Sequence, residues 1–247
     1  LSTKIKVAAV SYLNTKPLLY GIEQCDVRKE MTLELEYPSL LASSLQKGDI
    51  DMALLPVAAI PSIPNARMIG DYGIAADGNV ASVAIFSQVP MEQITHLYLD
   101  YQSRTSVRLA RLLLEQHWKQ QVELVPATEG YIEQIQGTTA GVVIGDRALM
   151  LLDRYEYIYD LSKGWKEMTG KPFVFAAWVA NKELPERFVE AFNKANAYGV
   201  AHVDVVARQY PFPKYDLLKY YTENIHYTLD KEKREGLQLF FEMISNS

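Results

Sequence analysis

"VSYLNTKPLLYG", residues 10–21, follows the apolar run Ile5–Val10, and its reading decides the fold. A buried strand gives way to serine, asparagine and proline, and leucines then resume. Proline is tolerated in the first turn of a helix, so the segment reads as a strand entering a helix through a polar turn. Asn14 is placed to cap that helix, with Lys16–Pro17 in its first turn. Polar turns of this kind at strand ends are also where α/β proteins hold ligands. The local spacing leaves both readings of Asn14 open.

Outward from this stretch the alternation continues. Thr32–Tyr37 sets Leu33, Leu35 and Tyr37 against Glu34 and Glu36, the period of a half-exposed strand. "PSLLASSLQKGD" is a helix opened by Pro38–Ser39 and stopped at Gly48, and Ile50–Pro56 is a third strand. The order β-α-β-α-β calls for a parallel sheet with right-handed crossovers. After a proline-rich loop, Asn79–Ser87 reads as a strand, and a second run of the same style follows. It comprises "HLYLD", the helix "SRTSVRLARLLLEQHW", "VELVP", the helix "EGYIEQIQ", "AGVVIGD", "RALMLL", "YEYIYDL" and Phe173–Ala180. Pro185 opens a long helix to about Arg208. Asp230 is a candidate cap for a last helix with Leu237, Phe240, Phe241 and Ile244 on its core face. Two α/β units without a low-complexity linker imply two lobes around a ligand cleft, joined by two crossover strands near Ser87–Pro90 and Pro172–Ala176. Lobe one is then discontinuous, residues 1–88 and 175–247, with residues 89–174 inserted as lobe two.

Composition narrows the function classes. The 247 residues are 49% hydrophobic and 22% charged, with a net charge of −5 and dispersed lysines and arginines. That gives no footprint for nucleic acid, and no apolar run approaches the ~20 residues of a membrane helix. One cysteine, Cys25, excludes an internal disulfide framework and a multi-cysteine metal site. The four histidines form neither HxxxH nor HExxH, so no metal is expected. Serine-hydrolase, dinucleotide and P-loop motifs are missing as well. No signal peptide is legible at Leu1, and a cytoplasmic location with no obligate protein partner is expected.

Chemistry is expected where polar segments end strands: "SYLN" (Ser11, Tyr12, Asn14), "YPS" (Ser39), "SRTS" (Ser103, Arg104, Thr105, Ser106) and "GD" (Gly145, Asp146). "SRTS" opens a helix, where free amide hydrogens, hydroxyls and the helix dipole suit an anion; the same serines serve equally as caps. Ser82 interrupts a strand of Val, Ala and Ile, and a buried hydroxyl needs a partner in backbone or ligand. Asp146 reads first as a helix cap. Trp165 and Trp178 read as core or cleft wall.

Six collinear stretches carry a family resemblance: "VSYLNTKPL" (10–18), "GDIDMALLPV" (48–57), "GNVASVAIFS" (78–87), "LDYQSRTSVRLARLLL" (99–114), "IGDRAL" (144–149) and "DLSKGWKEMTGKPFVFAAW" (160–178). Through them the chain resembles the chorismate dehydratases of the futalosine route to menaquinone. The resemblance implies the type-II periplasmic-binding-protein fold and cofactor-free dehydration of chorismate to 3-[(1-carboxyvinyl)oxy]benzoate. It implies Asn14 and Ser82 as catalytic residues from lobe one, and Ser103, Thr105 and Ser106 as carboxylate donors from lobe two. Two other expectations share the fold: a solute-binding protein for a small anion, and dihydroxynaphthoate synthase, which relies on a histidine that no motif here supplies.

Overall fold

The structure is a computed structural model that describes residues 4–36 and 38–245. In chain order the first half runs β1 (Ile5–Ala9), α1 (Lys16–Gln24), β2 (Met31–Leu35), α2 (Pro38–Lys47), β3 (Met52–Pro56), β4 (Arg67–Ala76) and β5 (Val83–Ser87). It continues with β6 (His96–Leu99), α3 (Arg104–Leu112), β7 (Glu123–Pro126), β8 (Thr139–Ile144), α4 (Asp146–Leu149), β9 (Tyr157–Asp160) and α5 (Leu161–Thr169). Then come β10 (Phe173–Ala180), α6 (Glu186–Ala201), α7 (Val203–Gln209), α8 (Leu217–Lys219), β11 (His226–Thr228) and α9 (Lys231–Ser245).

The chain divides into two compact units, residues 1–75 with 174–231, and residues 76–173 with 232–247. The first holds a six-stranded sheet in the order β11-β4-β10-β3-β1-β2. Within it β1 is parallel to β2 and β3, as the β-α-β-α-β reading requires. β10 enters antiparallel beside β3, placing Trp178 opposite Leu54. Trp178 is core, edge-on to Phe192 at 4.9 Å between ring centroids, with its indole N–H donating to Asn196 Oδ1. α1 packs on α6 with glycine facing glycine. A Cβ on Gly21 would collide with the Ala195 carbonyl oxygen, and one on Gly199 with that of Pro17.

The second unit holds a five-stranded sheet in the order β7-β6-β8-β5-β9. β6 is parallel to β7 and β8, whereas β5 runs antiparallel to both β8 and β9. One face buries Phe86, Tyr131, Ile135, Val143, Leu151 and Tyr155 together. α9 returns to this unit: Phe240 packs against Trp165 and Phe173, and Gly236 lies directly on the Pro172 carbonyl.

Several expectations are corrected by this arrangement. Residues 76–88 belong with the second sheet, because β5 finds its partners in β8 and β9. α9 joins the same unit through its aromatic face, so the chain passes between units three times, at 75/76, 173/174 and 231/232. β4 fills part of the stretch read as loop, and α5 fills "LSKGWKEMT", which had no assigned element. "EGYIEQIQ" forms only a 3-10 turn, Tyr131–Gln134, and the long helix breaks at His202. The strand expected at Asn79–Ser87 begins at Val83. β2 ends at Leu35, and Tyr37 lies outside the described residues. No helix among the described residues is long and apolar enough to cross a membrane.

Candidate active site

In the first unit the parallel strands bring the C-terminal ends of β1, β2 and β3 to one sheet edge. Ser11, Tyr12 and Asn14 follow β1 at that edge. Ser11 is exposed and its Oγ accepts from Lys16 Nζ at 2.8 Å. Asn14 sits in a 3-10 turn, Leu13–Thr15, that precedes α1. The turn is fastened from inside, since Thr15 Oγ1 lies 2.8 and 2.7 Å from the Val10 and Tyr12 carbonyl oxygens. The Asn14 carbonyl accepts from Tyr227 Oη at 2.8 Å. Burial pushes that phenol well above its ordinary range, so it stays a donor. The capping reading of Asn14 does not hold, because Thr15 occupies the N-cap of α1 and no side chain caps it. Asn14 Oδ1 is instead buried with no hydrogen-bond partner among the described residues. A buried acceptor left unpaired costs ~1–3 kcal/mol. Ser39 lies in the first turn of α2, and its side chain lies outside the described residues.

In the second unit the antiparallel insertion of β5 and β9 does what a purely parallel sheet would not. Val83 pairs with Ile144 and Ala84 with Asp160, so the start of β5 lies beside the ends of β8 and β9. The end of β6, at Leu99, lies on the same edge. Ser82, Ser103–Ser106, Gly145 and Asp146 therefore share one sheet edge. Ser82 belongs to this unit, not to the lobe of Asn14 where it was expected. It is fully buried, and its carbonyl accepts from Gly145 N at 2.7 Å. Gly145, at φ 66° and ψ −146°, adopts a backbone open essentially to glycine alone. It is also the N-cap of α4 and makes no side-chain cap, so the expected capping by Asp146 is not found.

The "SRTS" hydroxyls divide their roles. Ser103 caps α3: its Oγ accepts from Ser106 N at 3.1 Å and lies 2.8 Å from Ser106 Oγ. Thr105 and Ser106 are buried beneath it. Arg104 is exposed and, with Arg108, Arg111 and Lys119, lines a groove of about 890 Å³ whose lining also includes Val107, Leu114 and Leu124. The arginines recur at i, i+4 and i+7, one outer face of α3.

Two buried carboxylates organise this edge, and the sequence reading missed both. Asp100 directly follows β6 and is 2% exposed. It accepts from Arg147 Nη2 at 2.7 and 2.9 Å, from Ile144 N at 3.1 Å and from Gln102 N at 2.9 Å. Tyr131 Oη stands 3.0 Å away. Burial and then the Asp100 charge push the Tyr131 phenol far up. Burial alone would lower Arg147, but the Asp100 carboxylate outweighs it and holds the guanidinium above its usual range. Asp100 thus ties the "SRTS" turn to the "IGD" turn. Asp160 ends β9, accepts from Lys163 N at 3.0 Å as the cap of α5, and accepts from Ala81 N at 2.8 Å. Burial pushes its carboxyl up to about 6, against four backbone hydrogen bonds that pull it down. A signal existed for both. Each aspartate closes an apolar strand just before a helix, and a carboxylate buried there must be paired.

The histidines lie elsewhere. His96 begins β6, at the opposite end from "SRTS", and contacts Glu123 at 3.2 Å. His117 contacts Glu167, His202 contacts the Tyr198 carbonyl, and His226 lies in β11. Among the described residues no group of histidine, cysteine and carboxylate side chains is assembled to hold a metal ion.

A family model described as menaquinone biosynthesis matches residues 5–246. The chain belongs to this family. Within it, the chain is 28% identical over 260 residues to the chorismate dehydratase of Thermus thermophilus, covering 94% of this chain and 92% of that one. It is 30% identical over 192 residues to the chorismate dehydratase of Campylobacter jejuni, covering 75% and 72%. The family's fold is seen in a Candida albicans protein described as having the generic periplasmic-binding-protein fold. That match has a TM-score of 0.62 at 12% identity and covers 97% and 90% of the two chains. The present chain has the periplasmic-binding-protein fold.

Proposed function

We propose that the protein is a chorismate dehydratase, a carbon–oxygen lyase acting without metal or organic cofactor in the futalosine route to menaquinone, in the cytoplasm. The observation that carries the reading is the family match over residues 5–246, with relatives of that activity aligned along most of the chain. The unpartnered Asn14 Oδ1 supports it, since a buried acceptor at a strand-end turn suits a substrate hydroxyl.

Chorismate is a dianion. Removing the hydrogen from the carbon that bears the enolpyruvyl ether pushes charge toward the conjugated ring carboxylate. Loss of hydroxide from the neighbouring carbon completes the aromatic ring, and the products are 3-[(1-carboxyvinyl)oxy]benzoate and one water. Aromatisation drives the reaction, so the protein's work is orientation and stabilisation of developing charge by fixed donors. In this reading the substrate's side-chain carboxylate takes the proton, and no histidine base is needed. Asn14 meets the leaving hydroxyl. Ser82 donates to the reacting substrate, and the "SRTS" hydroxyls and amides hold a carboxylate, with Ser11, Tyr12, Ser39, Gly145 and Asp146 completing the binding set. Incubation of the purified protein with chorismate alone, followed by ultraviolet absorbance and mass spectrometry, tests this. Release of the aromatic product supports the reading. Chorismate bound and returned unchanged would make the chain a solute-binding protein.

A further inference from the structure

Ser82 is reached through an unusual turn. Its amide N–H donates to the Val80 carbonyl at 2.8 Å, two residues back, and the residue between, Ala81, has φ 64°. That is a γ-turn of the rare, strained hand, and alanine has no glycine-like freedom to adopt it. Such a backbone persists only where the surroundings over-determine it, and strained turns of this kind gather at functional sites. Here the restraint is visible. Ala81 N donates to Asp160 Oδ2 at 2.8 Å, and Val80 N also donates to the same carboxylate. Asp160 is itself fixed, being 8% exposed and anchored through Oδ1 to Lys163 N at the start of α5. On the far side, Gly145 N holds the Ser82 carbonyl.

We infer that Asp160 is a positioning residue, whose carboxylate clamps the strained Val80–Ser82 turn and thereby sets where the Ser82 hydroxyl points. This rests on the proposal that Ser82 belongs to the active site. A plain helix cap for α5 would need only the contact to Lys163 N. The bonds to Val80 and Ala81 are additional, and they act on the one turn that leads into Ser82.

Asp160→Ser separates the two jobs, because serine caps a helix well but is one atom too short to reach Ala81. The expected result with chorismate is a fall in kcat of ~10-fold or more, with KM changed by less than ~3-fold, since small misplacements of a reacting group are costly. Ala81→Gly added to Asp160→Ser should recover at least ~3-fold in kcat, because glycine keeps a positive φ without a clamp. A cap-only role predicts no recovery, and kcat of Asp160→Ser within twofold of wild type overturns the inference. Should Asp160→Ser not fold, the isosteric Asp160→Asn takes its place in both comparisons. Wild-type protein inert toward chorismate would overturn the functional reading instead. The clamp is then decided by the crystal structure of the Asp160 variant: Ala81 relaxed to negative φ supports it, and Ala81 unchanged overturns it.

Discussion

Gly21→Ala sets two effects of opposite sign against each other. In an ordinary helix interior alanine is favoured over glycine by ~0.5–1 kcal/mol. Gly21, however, faces α6: its added Cβ would overlap the Ala195 carbonyl oxygen and lie 2.7 Å from Gly199 N. A comfortable carbon–nitrogen contact is roughly 3.4 Å, so α1 and α6 must separate by about 0.7 Å for that atom alone and by more for the carbonyl. A gap of 0.5–1 Å forfeits about a quarter to a half of each dispersion well along the interface, and overpacking of this kind costs ~1–3 kcal/mol. Overpacking wins. For a chain of this size each kcal/mol is about 2–4 °C in Tm, so an overpacking cost of ~1–3 kcal/mol should bring thermal unfolding ~2–12 °C earlier. Gly48→Ala is the internal control, with φ 76° and nothing within 4 Å of the added Cβ, so it carries only backbone strain. Because α1 follows directly from the Asn14 turn, Gly21→Ala should also lower turnover of chorismate, and Gly48→Ala should not. A Gly21→Ala protein as stable as wild type, or more so, would refute the reasoning and show that helix propensity decides at this crossing.

Asn14→Asp places a carboxylate where a dianion is expected. Turnover should drop by ~10²-fold or more, because the new charge repels the dianion and the amide NH₂ that could steady the departing hydroxide is lost while an acceptor oxygen is kept, with the folded circular-dichroism spectrum unchanged; near-normal turnover returns Asn14 to a structural role. Thr105→Val should weaken product binding by ~1–3 kcal/mol, because a buried acceptor loses its donor. Arg104→Gln, on the exposed face of α3, should cost less than ~1 kcal/mol; calorimetric titration that reverses this order would place the guanidinium at the substrate. Asp160 carries a pH signature. Its folded carboxyl titrates near 6 against an ordinary 3.8, so the folded state holds the proton more tightly. The group's stabilising contribution is present below 3.8 and lost as pH rises through 6, on the order of 3 kcal/mol in all. Denaturant midpoints of wild type minus Asp160→Asn should show that slope between pH 4 and 6, and parallel curves would contradict it.

The sequence by itself determined the α/β class, because the period-2 and period-3.6 patterns from Ile5 to Pro56 admit little else. It placed β1, α2 and β10 within a residue or two, as their apolar runs end at proline, glycine or polar turns. It also marked the polar strand ends "SYLN", "SRTS" and "GD". What it could not supply was strand order and direction, which depend on partners far along the chain. β5 is as apolar as a lobe-one strand would be, and only its antiparallel pairing with β8 and β9 moves Ser82 to the other unit. The same pairing sets Asp160 beside Ala81, 79 residues away, and β6 beside β8 sets Asp100 against Arg147. Local spacing reports which groups leave a strand end. Which buried charges meet there is decided by hydrogen-bond register between strands, and register is a property of the folded sheet.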